Sequence, residues 1–208
     1  MLDPAVEHAF FARGSRRVAG VDEVGRGPWA GPVIAAAVVV GPDTPRLEGV
    51  NDSKQLTMRR REQLAAVIVS TLPYAVGAAS TREIDRLNIR RATALAMRRA
   101  LARLPQPADV VLVDGRPVPE LGCAHEALVG GDARSYAIAC ASIVAKTVRD
   151  RLMRRLAARY PDYGWDKNCG YGTPRHRAAM ERVGVTSHHR RSFTPVLQRE
   201  LWERLVQR

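Results

Sequence analysis

The segment Val21-Asp22-Glu23-Val24-Gly25-Arg26-Gly27-Pro28 puts two adjacent carboxylates at the end of an apolar run and directly before a glycine-flanked arginine. Asp22 and Glu23 offer hard oxygen donors of the kind that Mg²⁺ or Mn²⁺ prefers. Gly25 and Gly27 have no Cβ, so backbone N–H groups there can come close to a ligand, and Arg26 adds a fixed positive fork. A cation and a phosphodiester can meet at such a place. Taken alone, a D-E-x-G string is equally the end of a strand running into a polar turn. Two further acids close apolar runs: Asp114 after residues 110–113 and Asp132 after residues 127–131. Each also has an ordinary use, Asp114 in a turn pair with Gly115 and Asp132 as the N-cap of the helix that follows. Acids gathered in one place repel one another unless a divalent cation neutralises them. Carboxylates that hold two cations about 3.5 to 4 Å apart are what two-metal phosphoryl transfer requires.

The elements that must position these groups follow from hydrophobic periodicity. Residues 18–21 and 33–40 read as buried strands, 75–79 as a third, 110–113 as a fourth and 124–129 as a weaker fifth. Helical spacing covers 57–70, 84–104, a long stretch from about 134 to 159, then 174–183 and 195–206. Strands first, then strands alternating with helices, predict a mixed α/β sheet with a helical C-terminal extension. The acids would then gather where neighbouring strands end. Asp22 and Glu23 would face opposite sides of a regular strand, so at least one is expected where the chain leaves strand geometry.

The formal charge of +12 over 208 residues points to a polyanionic partner, with nucleic acid ahead of an acidic membrane surface. The charge is uneven. Residues 146–208 hold 15 Lys or Arg against 6 Asp or Glu, and residues 1–145 hold 18 against 15. No apolar run approaches the roughly 18 residues of a membrane span. Cys123, Cys140 and Cys169 lack C-x-x-C spacing, which argues against a disulfide framework or a structural zinc site and fits a reducing cytoplasm. The His188-His189 pair is too tight for an ordinary chelating helix face and reads as structural or hydrogen-bonding, and Trp165 and Trp202 read as packing residues.

The chain resembles the bacterial ribonuclease HII family, the type 2 ribonucleases H. The matching segments are Ala19 through Pro28, Asn51-Asp52-Ser53-Lys54, Val113-Asp114-Gly115, Gly131-Asp132, Ala141-Ser142-Ile143-Val144-Ala145-Lys146 with Arg149-Asp150, Gly170-Tyr171-Gly172-Thr173 with His176, and His189-Arg190-Arg191-Ser192-Phe193, in the expected order. The resemblance implies a ribonuclease H-like fold: a mixed five-stranded sheet flanked by helices. Residues 1–160 would form the catalytic core, and 161–208 a helical region closing over the substrate as part of one structural unit. It implies that Asp22, Glu23, Asp114 and Asp132 are the metal-binding, catalytic carboxylates for two divalent ions, Mg²⁺ or Mn²⁺. It implies that Gly25, Arg26 and Gly27 contact the ribose 2′-hydroxyl, that Tyr171 packs on the adjoining sugar, and that Lys54, Ser142 and Lys146 contact phosphate or the active site. The implied enzyme is a monomeric endoribonuclease. It would act on RNA/DNA hybrids and on ribonucleotides embedded in duplex DNA, leaving 5′-phosphate and 3′-hydroxyl ends. A nucleic-acid-binding protein without catalysis, or another two-metal nuclease or transferase on this fold, are the competing readings. Gly130 and Cys169 stand where the family commonly has lysine, and Cys140 where it has alanine.

Overall fold

The computed structural model describes residues 2–50 and 56–206. The order is α1 (Ala5–Phe11), β1 (Val18–Val24), β2 (Val33–Val40), α2 (Met58–Thr71), β3 (Tyr74–Ala79), α3 (Thr81–Ala102), β4 (Val110–Asp114), β5 (Glu126–Leu128), α4 (Tyr136–Arg159), α5 (Trp165–Asn168), α6 (Pro174–Val183) and α7 (Thr194–Val206). The five strands form one mixed sheet in the order β3-β2-β1-β4-β5, antiparallel on the β3 side of β1 and parallel on the β5 side.

All eight residues of β2 are apolar and buried, as a strand covered on both faces must be. Alternation along β1 sorts its side chains. Val18 joins the cluster built from α2 and α4, whereas Val21 joins the cluster built from α3. Gly20 lies on the α4 side, where a Cβ would stand 2.1 Å from the Ala137 carbonyl carbon. The missing side chain lets the first turn of α4 rest directly on the strand that carries Asp22.

Ser80 and Glu83 form a capping box that starts α3 at Thr81, three residues before the periodicity predicted, and the helix kinks at Asn88, where φ is 67°. Helix α1 was not expected. Its Glu7 is buried and accepts from Ser135 Oγ (2.6 Å) and Ala137 N (3.1 Å), so the first helix anchors the N-terminus of α4. Residues 161–198 wrap the far end of α4, where Trp165, Tyr163, Met180 and Val196 bury against Met153 and Ala30. Among the described residues no helix is long and apolar enough to cross a membrane.

Candidate active site

One ligand atom from each of Asp22, Asp114 and Asp132 lies within 4.8 Å of the others. β1 does not end at Val21. Its ladder with β2 continues through Asp22 opposite Ala36 and Glu23 opposite Ala35 to Val24 opposite Ile34. The expected departure from strand geometry is therefore absent, and regular alternation itself separates the two acids. Asp22 faces α4, where Ser142 hydrogen-bonds its carboxylate. Glu23 faces α3 and lines, with Asp114, a cavity of about 530 Å³ whose walls include Arg26, Arg90 and Arg116. Arg26 Nη1 pairs with Glu23 Oε1 at 3.2 Å.

Asp114 ends β4, the parallel neighbour of β1. Its Oδ1 accepts from Gly131 N (2.7 Å) and Asp132 N (3.4 Å), in the tight turn Gly131–Ala133. The capping use available to Asp132 belongs instead to Ser135, whose side chain accepts from Ile138 N. Asp132 is thus left to face Asp22 and Asp114. Burial, then the nearby charges of Glu23 and Asp114, push the Asp22 carboxyl well above its usual range. Burial also raises Glu23, against the opposing pull of Arg26. Crowded, mutually repelling oxygen donors of this kind fit a hard divalent cation, which would relieve the repulsion.

Two buried arginines to which the motif reading gave no role hold the backbone around Gly25–Gly27: Arg190 clamps the segment itself, and Arg149 packs against Gly25 while holding the neighbouring loops. Arg149 donates to the carbonyls of Pro32 (3.0 Å), Cys169 (2.9 Å) and Ala30 (3.1 Å). Arg190 donates to Gly31 (3.0 Å), Arg26 (2.7 Å) and Gly25. Gly25 has φ +92°, and a Cβ there would stand 2.1 Å from Arg149 Nε, so the bare backbone makes room for the clamp. Tyr171 is 50% exposed, and its Cε1 lies 3.4 Å from where a Gly27 Cβ would be. The sequence held one signal for Arg149, a charge four residues after Ala145 and three before Leu152 on the apolar stripe of α4, which has to be satisfied by something.

Lys54, with the rest of its segment, lies outside the described residues. Lys146 pairs with Asp150 at 2.7 Å, and Asp150 also holds Arg61 at 3.0 Å, so this lysine is engaged within the protein. Cys169 Sγ lies 3.5 Å from the same Asp150. Cys140 is buried and its thiol is pushed up to about 12, mainly by burial, which makes it inert. His189 is buried and hydrogen-bonded, as the tight pair implied, and Trp165 is core. Trp202 corrects the packing expectation: it is 64% exposed on α7.

Comparison with known proteins follows the same outline. The sequence model of one family, ribonuclease HII, matches residues 19–196. The chain belongs to the ribonuclease HII family. The ribonuclease HII of Paracoccus denitrificans is 55% identical over 195 residues, covering 93% of this chain and 92% of that protein. The ribonuclease HII of Thermosynechococcus vestitus is 52% identical over 189 residues, covering 90% and 88%. Among solved structures, the ribonuclease H2 of Pyrococcus horikoshii OT3 superposes with a TM-score of 0.78 at 29% identity, over 90% of this chain and 99% of that one. As a ribonuclease HII, the chain is an enzyme of the ribonuclease H type, and its mixed five-stranded sheet with flanking helices is the fold of those structures.

Proposed function

We propose that this ribonuclease HII is a divalent-metal-dependent endoribonuclease that cleaves RNA/DNA hybrids and single ribonucleotides embedded in duplex DNA, leaving 5′-phosphate and 3′-hydroxyl ends. The observation that carries the reading is the approach of Asp22, Asp114 and Asp132 to within 4.8 Å, with Glu23 beside Asp114 on the adjoining face. Asp22, Glu23, Asp114 and Asp132 would hold two divalent cations, Mg²⁺ or Mn²⁺, which when bound would activate a water for in-line attack and neutralise charge at the departing 3′-oxygen. Ser142 orients Asp22, and Asp114 orients the turn that presents Asp132.

Selection of the ribose falls to Gly25, Arg26, Gly27 and Tyr171. The clamped backbone would meet the 2′-hydroxyl and the exposed ring would pack on the next sugar, reading the one group that separates RNA from DNA. The C-terminal region, residues 161–208, would close over the duplex, and its excess of arginine supports a role in gripping phosphates. The test is a labelled DNA duplex carrying one ribonucleotide, incubated with and without Mg²⁺ or Mn²⁺. Metal-dependent cutting at that nucleotide is expected. An intact duplex with either metal overturns the reading.

A further inference from the structure

Behind Tyr171 lies a buried pair of histidines whose protons have only one possible arrangement. The Thr186 backbone N–H donates to His189 Nδ1 (2.9 Å), so that nitrogen is bare. Trp165 Nε1–H donates to His176 Nε2 (3.2 Å), so that nitrogen is bare as well. The Tyr171 carbonyl can only accept, and therefore His176 Nδ1, 2.9 Å away, carries a proton. The remaining contact, 3.1 Å between the two Nε2 atoms, must then be His189 Nε2–H donating to His176 Nε2, whose single lone pair is shared between this donor and Trp165. Every ring nitrogen is used, and both rings are neutral. An added proton on either ring would set N–H against N–H. Burial pushes both pKa values down, His189 to about 3.

The chain of hydrogen bonds ends on the backbone of one residue. Tyr171 receives His176 at its carbonyl and gives its own N–H to the Asn168 carbonyl (2.9 Å), while its ring stays half exposed beside Gly27. Tyr163, Trp165 and Trp29 enclose the pair, with ring centroids 4.9 to 5.9 Å from those of the imidazoles, which have little freedom to turn. A rigid backbone under an exposed ring is the arrangement that pre-organises a contact group. We infer that His176 and His189 are positioning residues, fixing Tyr171 so that its ring meets the sugar next to the cut. This inference rests on the ribose-reading role proposed for Tyr171.

A double-mutant cycle on the embedded-ribonucleotide duplex tests it. His176→Phe, which keeps the ring volume and loses the hydrogen bonds, should lower kcat about tenfold with KM nearly unchanged. His176→Asn, whose amide N–H stands near the place of Nδ1–H, should recover most of that loss. In a Tyr171→Ala background His176→Phe should cost nothing further, because the residue it positions is gone. Wild-type turnover of His176→Phe, or an equal loss in both backgrounds, overturns the inference. Wild-type turnover of Tyr171→Ala instead overturns the ribose reading, and the inference with it. If His176→Phe fails to fold, His189→Leu against His189→Gln makes the same comparison, with Gln restoring the donor. Nitrogen-15 spectra of the wild-type enzyme at pH 7 give an independent check. His189 should be the Nε2–H tautomer and His176 the Nδ1–H tautomer, and a charged ring or the opposite tautomer in either overturns the inference.

Discussion

Asp114 Oδ1 accepts the backbone N–H groups of Gly131 and Asp132, so one candidate metal ligand builds the turn that presents another. Asp114→Asn keeps an oxygen at that position and should hold the turn while losing at least a hundredfold in cleavage. Asp114→Ala should lose cleavage and also about 1 to 2 kcal/mol of stability, because two backbone donors lose their acceptor. Thermal melting separates the two variants. Equal melting temperatures would show that the hydrogen bonds do not hold the turn.

The raised pKa of Asp22 gives the metal-free enzyme a signed pH dependence. A carboxyl whose folded pKa lies above its unfolded value stabilises the fold fully at pH below the unfolded value, and that contribution is lost as pH rises through the folded value. Asp22→Asn cannot ionise. In the absence of metal it should melt about 2 to 4 °C above wild type at pH 7 to 8, with the gap closing near pH 4. The same variant should bind hybrid within about threefold of wild type, fail to cut it, and gain little stability from Mn²⁺ that stabilises wild type. A wild type that outmelts Asp22→Asn at pH 8 without metal would contradict the assigned direction.

Gly25→Ala is expected to damage folding as well as selectivity. The residue sits at φ +92°, and a methyl group would collide with a buried guanidinium that has three carbonyl partners. A loss of about 2 kcal/mol, read as a lowered melting temperature with reduced activity, follows from the strained dihedral and the displaced clamp. Normal stability with normal activity would mean that Arg149 can step aside.

Binding should fall steeply with salt, with a log-log slope of about −0.9 for each phosphate neutralised on B-form duplex. Charge reversal at Arg175 and Arg177 on α6 should flatten the slope by one to two phosphates if this region grips the backbone. An unchanged slope would place the basic contacts elsewhere.

Much of the architecture was legible because it is local. The β2 run is apolar at every position, and α4 repeats Ile138, Ala141, Ala145 and Val148 at helical spacing, so a covered strand and a long buried helix could be read directly. The end of β1 was misread for an equally local reason. A carboxylate after Val21 looks like a strand boundary, whereas the Ser142 hydroxyl, brought in by α4 over Gly20, and the Glu23 backbone N–H satisfy Asp22 inside the strand. The acids at the strand ends could be found by pattern, whereas their mutual approach depends on strand order. The Arg190 clamp and the Glu7 anchor could not be read, because Glu7 meets Ser135 at a separation of 128 residues and Arg190 meets Gly25 at 165.

That last separation orders events in time as well as in space. A ribosome makes Arg190 165 residues after Gly25. All four candidate carboxylates are therefore synthesised before the side chain that fixes the backbone at Gly25, Arg26 and Gly31 exists. An interrupted product ending before Arg190 carries all four acids but lacks the donor to Gly25, Arg26 and Gly31. Completion of the loop is thereby tied to the synthesis of Arg190.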